Sequence, residues 1–236
     1  VLLRHSTDPL IFGSVFTLVA IILLASVVDT EQTRLALFGL QDAIVENFAW
    51  LLSLAVSAML VLAIWLAASR FGNLRLGADN SLPEYPFFAW LSMLFSAGMG
   101  IGLVFYGVAE PVLHFLQPLN AGPLSPAAAR EALRYTIFHW GLHAWSIYAI
   151  LGLALALGHF RYQQPLAIRS TLQPLLGKHT HRWPGKMIDV VAVLGTLFGL
   201  ATSLGLGAAQ IEAGLVQLFQ VSAGVNTQVV IIAVIT

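Results

Sequence analysis

Cysteine is absent from all 236 residues, which removes disulfide frameworks and thiolate metal sites together. Charge is nearly as scarce, since Asp, Glu, Lys and Arg make up only 9% of the chain and cancel to a formal net charge of +0. There is no basic block, so no nucleic-acid or acidic partner is indicated. The histidines are scattered rather than paired at zinc-ligand spacing, except His139 and His143, which lie a helical turn apart with no third metal ligand apparent. No nucleophile, base and oxyanion-donor set can be assembled, and the acids near apolar segments sit at their ends, so an enzyme is not expected. What fills the chain is apolar: 58% of its residues are hydrophobic and its mean hydropathy is +0.84. Water-soluble chains rarely carry that combination.

A bilayer-spanning helix needs about 20 predominantly apolar residues. Five segments meet that length, at about 9–28, 44–68, 86–109, 134–157 and 188–213, and a sixth starts near 228. The expected fold is an all-α polytopic membrane protein. Turn signals separate the segments: Phe71 to Gly77, the Pro83 and Pro86 pair, Gln117 to Pro123, and Gln173 through Gly185. The first apolar stretch has no small-residue cleavage site and is long enough to span, so it does not read as a cleavable signal. The chain opens on Val1 and ends inside the apolar run Val229 to Ile235, and is expected to be a segment of a longer protein. With a cytoplasmic N-terminus, Arg4, Arg70, Arg75, Arg161, Arg169, Lys178, Arg182 and Lys186 fall inside and Arg34, Arg130 and Arg134 outside. Eight against three favours that orientation in a bacterial inner (plasma) membrane.

The third segment contains Ser96-Ala-Gly-Met-Gly-Ile-Gly102, with Gly98, Gly100 and Gly102 at alternate positions near its middle. Each glycine in a helix interior costs about 1 kcal/mol relative to alanine. Three together predict a broken or loosened helix. Backbone groups freed at that depth must line a cavity, meet another helix closely or bind something, because lipid cannot satisfy them. Interrupted helices at the midplane are how many secondary transporters present carbonyls to an ion and helix ends to a substrate; close packing through small residues is the alternative.

The fourth segment reads Phe138-His-Trp-Gly-Leu-His-Ala-Trp-Ser-Ile-Tyr148. On a continuous helix Trp140, Tyr148 and Trp145 fall at roughly 0°, 80° and 140°, one broad aromatic face. Trp145 and Tyr148 lie deeper than an interfacial belt would place them. Rings around a cavity attract a quaternary ammonium through their negative faces and need no carboxylate partner, which suits helices with almost no buried charge. Ordinary packing between helices is the other reading. The fifth segment carries Gly195, Gly199, Ser203 and Gly207 at four-residue spacing, while Thr196 and Ser203 bring hydroxyls to nearly one face. Such hydroxyls are hard oxygen ligands for sodium, or hydrogen-bond across an interface or back to their own helix.

Three blocks in order, Met93 to Pro111, Phe138 to Ile150, and Gly185 to Asp189 continuing into Ser203 to Ile211, resemble the betaine/choline/carnitine transporter family over about Arg70 to Leu218. The resemblance implies a LeuT-like inverted-repeat transporter in which two leading helices precede two five-helix repeats. This chain is then its N-terminal part, with about five complete transmembrane helices plus the start of a sixth. Residues 1–69 hold the leading pair and 70–236 an incomplete first repeat of a single transmembrane domain. By the family's pattern Trp140, Trp145 and Tyr148 supply part of an aromatic box, Gly98, Gly100 and Gly102 form the flexible stretch, and Ala97 and Met99 bring carbonyls near substrate and ion. Thr196 and Ser203 are the remaining ion-binding candidates.

The function implied is secondary active uptake of a quaternary-ammonium compatible solute such as glycine betaine, in osmoprotection. Gly102, where proton-coupled members carry Asp, implies sodium symport. Leu200 stands one turn after Thr196 where the sodium pattern has a second hydroxyl, which leaves the number of coupled ions open. Proton-coupled transport of choline, ectoine or a sulfonium zwitterion is the alternative, and a channel or non-transporting scaffold is the reading from another class. No cofactor beyond sodium, no other metal and no nucleic acid are expected; the partners are the solute and the bilayer, and the resemblance implies a homotrimer.

Overall fold

The computed structural model describes residues 8–78, 80, 82–98 and 100–235, and every regular element among them is helical. Helix α1 (Pro9–Val28) starts where Asp8 accepts a hydrogen bond from the Leu10 amide and proline occupies the first turn, both strong helix-start devices. Asp29 ends it and caps α2 (Thr30–Ala68), accepting from the Gln32 amide at 2.9 Å. In α2 the structure corrects the sequence expectation: residues 30–43, expected as a connection between spans, are helical. The physical reason is local. An Asp cap, Glu31 in the first turn and its pairing with Arg34 at 2.6 Å nucleate a helix that hydropathy alone does not register.

After a 3₁₀ turn (Arg70–Asn73), the third apolar segment is two helices, α3 (Phe87–Gly98) and α4 (Ile101–Leu116). The fourth is also two, α5 (Pro126–Trp140) and α6 (Leu142–Ala156), followed by a π-helical segment (Leu157–Arg161). Short helices α7 (Ile168–Thr171) and α8 (Gln173–Leu176) and a 3₁₀ turn (Gly177–His181) lead into α9 (Trp183–Phe219), and α10 (Val225–Ile235) follows. Among the described residues α1, α2, the α5–α6 stretch (Pro126–Arg161) and α9 are long and apolar enough to cross a membrane. At 1.5 Å per residue α1 covers about 30 Å, one hydrocarbon thickness.

The chain divides into two compact units. The first comprises residues 1–80 and 145–195, the second 81–144 and 196–236. In the first unit α1 packs on α2. Two ion pairs tie the segment before α9 and its first turns: Lys186 meets Asp8 at 2.8 Å, and Asp189 accepts from the Arg169 amide at 3.2 Å while facing its guanidinium at 3.3 Å. The Lys186 ammonium, by its hydrogen bond, holds the Asp8 carboxyl below the usual carboxylate range. Arg161 donates twice to the Arg75 carbonyl, at 2.7 and 3.1 Å, which joins the end of the π-helical segment to the loop beyond α2.

In the second unit α4 packs on α5. Buried Glu131 accepts from the Leu119 and Asn120 amides at 2.8 and 3.1 Å and thereby closes the connecting loop. Buried Glu212 does the same between α9 and α10, accepting from the Gly224 amide and the Gln228 side chain, both at 2.7 Å.

Candidate functional site

The third segment stops at Gly98 and restarts at Ile101. Gly100 sits at the N-cap of α4 in an extended conformation (φ −65°, ψ 176°) and offers no side chain to cap the first turn. The opening amides of α4 therefore have no intrahelical acceptor and none from the cap residue's side chain. Ala97 lies in the last turn of α3, and Met99 lies outside the described residues. Pro111, inside α4, removes the amide that would have bonded the Gly107 carbonyl, so this short helix is incompletely paired at two places.

Against α4 lies the end of α5. A Cβ placed on Gly102 would stand 3.8 Å from the outer edge of the Trp140 ring, ordinary van der Waals contact. Tyr106, one turn further along α4, stacks on the same ring at 5.5 Å and 17°. Glu110, another turn on, accepts from the Trp140 indole Nε1–H at 2.5 Å. The interrupted helix and Trp140 are thus brought together, with the indole fixed on one face by Tyr106 and at its nitrogen by a carboxylate.

Glu110 has further partners. Its Oε1 bonds His139 Nδ1 and stands 3.4 Å from His114 Nε2. Tyr135 tilts against the His114 ring at 5.2 Å and stacks on His139 at 6.2 Å. Contacts from Tyr106 with Trp140 through Glu110 with His139 to His114 with Tyr135 show α4 and α5 running antiparallel. His139 and His143, considered as a pair in the sequence, do not act as one: His139 joins Glu110, and His143 lies against the Phe138 ring at 4.6 Å.

The phase argument that put Trp140, Trp145 and Tyr148 on one face assumed an unbroken helix, and the chain breaks at Gly141. Gly141 donates to the Ile137 carbonyl at 2.8 Å and then departs from helical geometry (φ −90°, ψ −147°). A Cβ there would collide with the Ile137 carbonyl oxygen, so the break needs glycine. In the first unit Trp145 and Tyr148 lie together, ring centroids 5.9 Å apart, and both are exposed, at 41% and 69%.

On α9, Thr196 is exposed and Ser203 half-buried, two turns apart. The Thr202 hydroxyl donates to the Phe198 carbonyl at 2.9 Å, the back-bonded state in which its proton is spent on its own helix. A Cβ on Gly195 or Gly199 would meet nothing within 4 Å, whereas Gly207 and Ala208 are buried.

Tyr106, Glu110 and His114 were not singled out by the sequence reading. Their spacing on α4, every fourth residue from Gly102, was the available signal, because such residues share a helix face.

The profile of the BCCT family, described as betaine/carnitine/choline family transporter, matches residues 9–236. Glycine betaine transporter 1 of Vibrio parahaemolyticus is 44% identical over 231 residues, covering 96% of this chain and 44% of that protein. The glycine betaine transporter of Acinetobacter baylyi is 41% identical over 97% of this chain and 35% of its own length. That of Bacillus subtilis is 42% identical over 100% of this chain and 46% of its own length. The chain spans less than half the length of these relatives.

Proposed function

The chain belongs to the betaine/carnitine/choline transporter family, a family of transporters rather than enzymes, and from that premise we propose that it is part of a secondary transporter taking up a quaternary-ammonium compatible solute, glycine betaine or similar, by sodium symport. The observation that carries the reading is the Trp140 ring held beside Gly102, just past the interruption of a helix in an apolar segment. A trimethylammonium group is recognised by ring faces without a carboxylate, while an interrupted helix supplies backbone groups to the solute's carboxylate and to an ion.

Trp145 and Tyr148 extend the aromatic recognition. The carbonyls of Ala97 and Met99 and the hydroxyls of Thr196 and Ser203 are assigned to ion binding, and Gly98, Gly100 and Gly102 to the flexibility that alternating access needs. The proposed architecture is the N-terminal part of a LeuT-like inverted repeat in the bacterial inner membrane, N-terminus cytoplasmic, with three copies in the assembly. A broader solute range is a second reading, favoured by a relative named glycine betaine/proline/choline/ectoine transporter, 43% identical over 94% of this chain.

The test is uptake by the full-length protein in proteoliposomes. Glycine betaine should accumulate against its gradient when sodium is outside and cease to when potassium replaces it at fixed pH. Trp145→Leu should sharply reduce uptake with the protein still folded. Sodium-independent accumulation that follows a pH gradient replaces the coupling ion, and unchanged uptake by the Trp145 variant removes the aromatic recognition.

A further inference from the structure

We propose that Glu110, His114 and His139 form a binding site for a borderline divalent transition cation of the zinc class, joining α4 to α5. One donor atom from each of the three lies within 4.8 Å of the others, and Glu110 Oε1 faces both His114 Nε2 and His139 Nδ1. Metal–ligand bonds of about 2.0–2.1 Å at a tetrahedral angle set donor atoms roughly 3.3–3.4 Å apart. The His114–Glu110 separation is already 3.4 Å, and a bound ion would take the place of the hydrogen bond between His139 and Glu110.

The donor set selects the ion. Two imidazoles with one carboxylate suit zinc, nickel, cobalt or copper(II), whereas magnesium and calcium take oxygen ligands alone. Three protein ligands leave a fourth position for water or another donor, as in open zinc sites.

The surroundings supply what ligating groups need. The Trp140 indole holds Glu110 Oε2 at 2.5 Å and leaves Oε1 turned to the two histidines. Tyr135 packs on both imidazoles and fixes their planes. Glu110 and His114 are one turn apart on one helix, and His139 comes from the antiparallel neighbour, so a bound ion bridges two elements of the same compact unit. The site uses none of the carbonyl or hydroxyl groups assigned to sodium, and it does not depend on which solute is carried.

Full-length protein, purified with a tag free of histidine and stripped with chelator, is titrated with zinc by calorimetry and with cobalt(II) by visible absorption. The expected result is one zinc per chain and the intense absorption of tetrahedral cobalt. His114→Phe and His139→Phe keep a ring against Tyr135 but remove the ligand nitrogen, and Glu110→Gln keeps an acceptor for Trp140 but removes the charge. Each should weaken zinc binding by at least about tenfold, the lower end of what loss of an outer-shell partner alone costs. The variants are compared as monodisperse protein of wild-type melting temperature, and if none meets this the presence or absence of the tetrahedral cobalt spectrum in the wild type decides. Zinc binding of equal strength in wild type and variant, or no saturable zinc binding by the wild type, overturns the assignment. Neither result bears on betaine uptake, which is measured separately.

Discussion

Gly141→Ala tests the break between α5 and α6 directly. The new Cβ would run into the Ile137 carbonyl oxygen, a backbone atom that cannot rotate away. Forcing a methyl group into such a contact costs about 1–3 kcal/mol if the break is kept. Were residue 141 to adopt helical geometry instead, Ala would gain about 1 kcal/mol over Gly. The balance between broken and continuous helix therefore moves by about 2–4 kcal/mol, a factor of roughly 30 to 900. The continuous form changes the backbone path directly after Trp140, so the proposed glycine betaine uptake by the full-length variant should fall by at least tenfold. Melting temperature distinguishes the routes: a decrease means the break persists under strain, and no change or an increase means the helix has healed. Gly152→Ala, on α6, is the control, because a Cβ there meets nothing within 4 Å; it should leave uptake near wild type. If Gly141→Ala matched wild type in both uptake and melting temperature, the steric account of the break would be wrong.

Lys186→Met should flatten the acid limb of the stability profile. Lys186 lowers the Asp8 pKa from its ordinary 3.8, so the pair's contribution is full above that value and lost as pH falls through the lowered one; parallel acid limbs in wild type and variant refute it. Glu212→Ala removes the acceptor for both Gly224 N–H and the Gln228 side chain. Earlier proteolysis between α9 and α10 follows, and unchanged cleavage counts against the clamp. Glu110→Ala should destabilise more than Glu110→Gln, by about 1–3 kcal/mol, because only alanine orphans the Trp140 indole; equal melting temperatures would show that this bond is not maintained.

Where one local signal decides the structure, the sequence was readable. Helix α1 occupies 9–28 as its hydropathy and Asp8-Pro9 start imply, and the third segment is interrupted between Gly98 and Ile101, where glycine is densest. The start of α2 was equally local: Asp29 followed three residues later by Gln32 is a helix-start pattern, but a search for apolar length passes over it because residues 30–43 are mixed in polarity. Gly141 was less visible. A single glycine in an apolar helix is usually tolerated, and here the outcome rests on the backbone angles around Ile137 rather than on residue type. The cluster around Glu110 lay furthest from view, since its members are separated by up to 30 positions and meet only through the antiparallel register of α4 and α5. No periodicity within either helix encodes that register. Hydroxyls on α9 were legible as a residue type but not in their bonding: Thr202 donates to Phe198, a common fate of such residues in a helix.

The α4–α5 pair has an energetic logic that links the break to the carboxylate. Gly100 gives α4 no side-chain cap and Pro111 removes one of its internal hydrogen bonds, and its position against α5 is set by side chains. Apolar contact alone slides easily along an antiparallel neighbour, because one Leu or Val row resembles the next. A half-buried carboxylate does not slide: Glu110 bonds His139 and Trp140 where they stand together, and a shift of one turn would leave these groups without their partners, at about 1–3 kcal/mol. The same shift would take Gly102 from the Trp140 ring and put Tyr106 or a larger side chain in its place. Glu110 therefore sets the register that lets the glycine meet the indole, which makes a residue without any assigned contact to solute or sodium a determinant of the surface proposed to receive them.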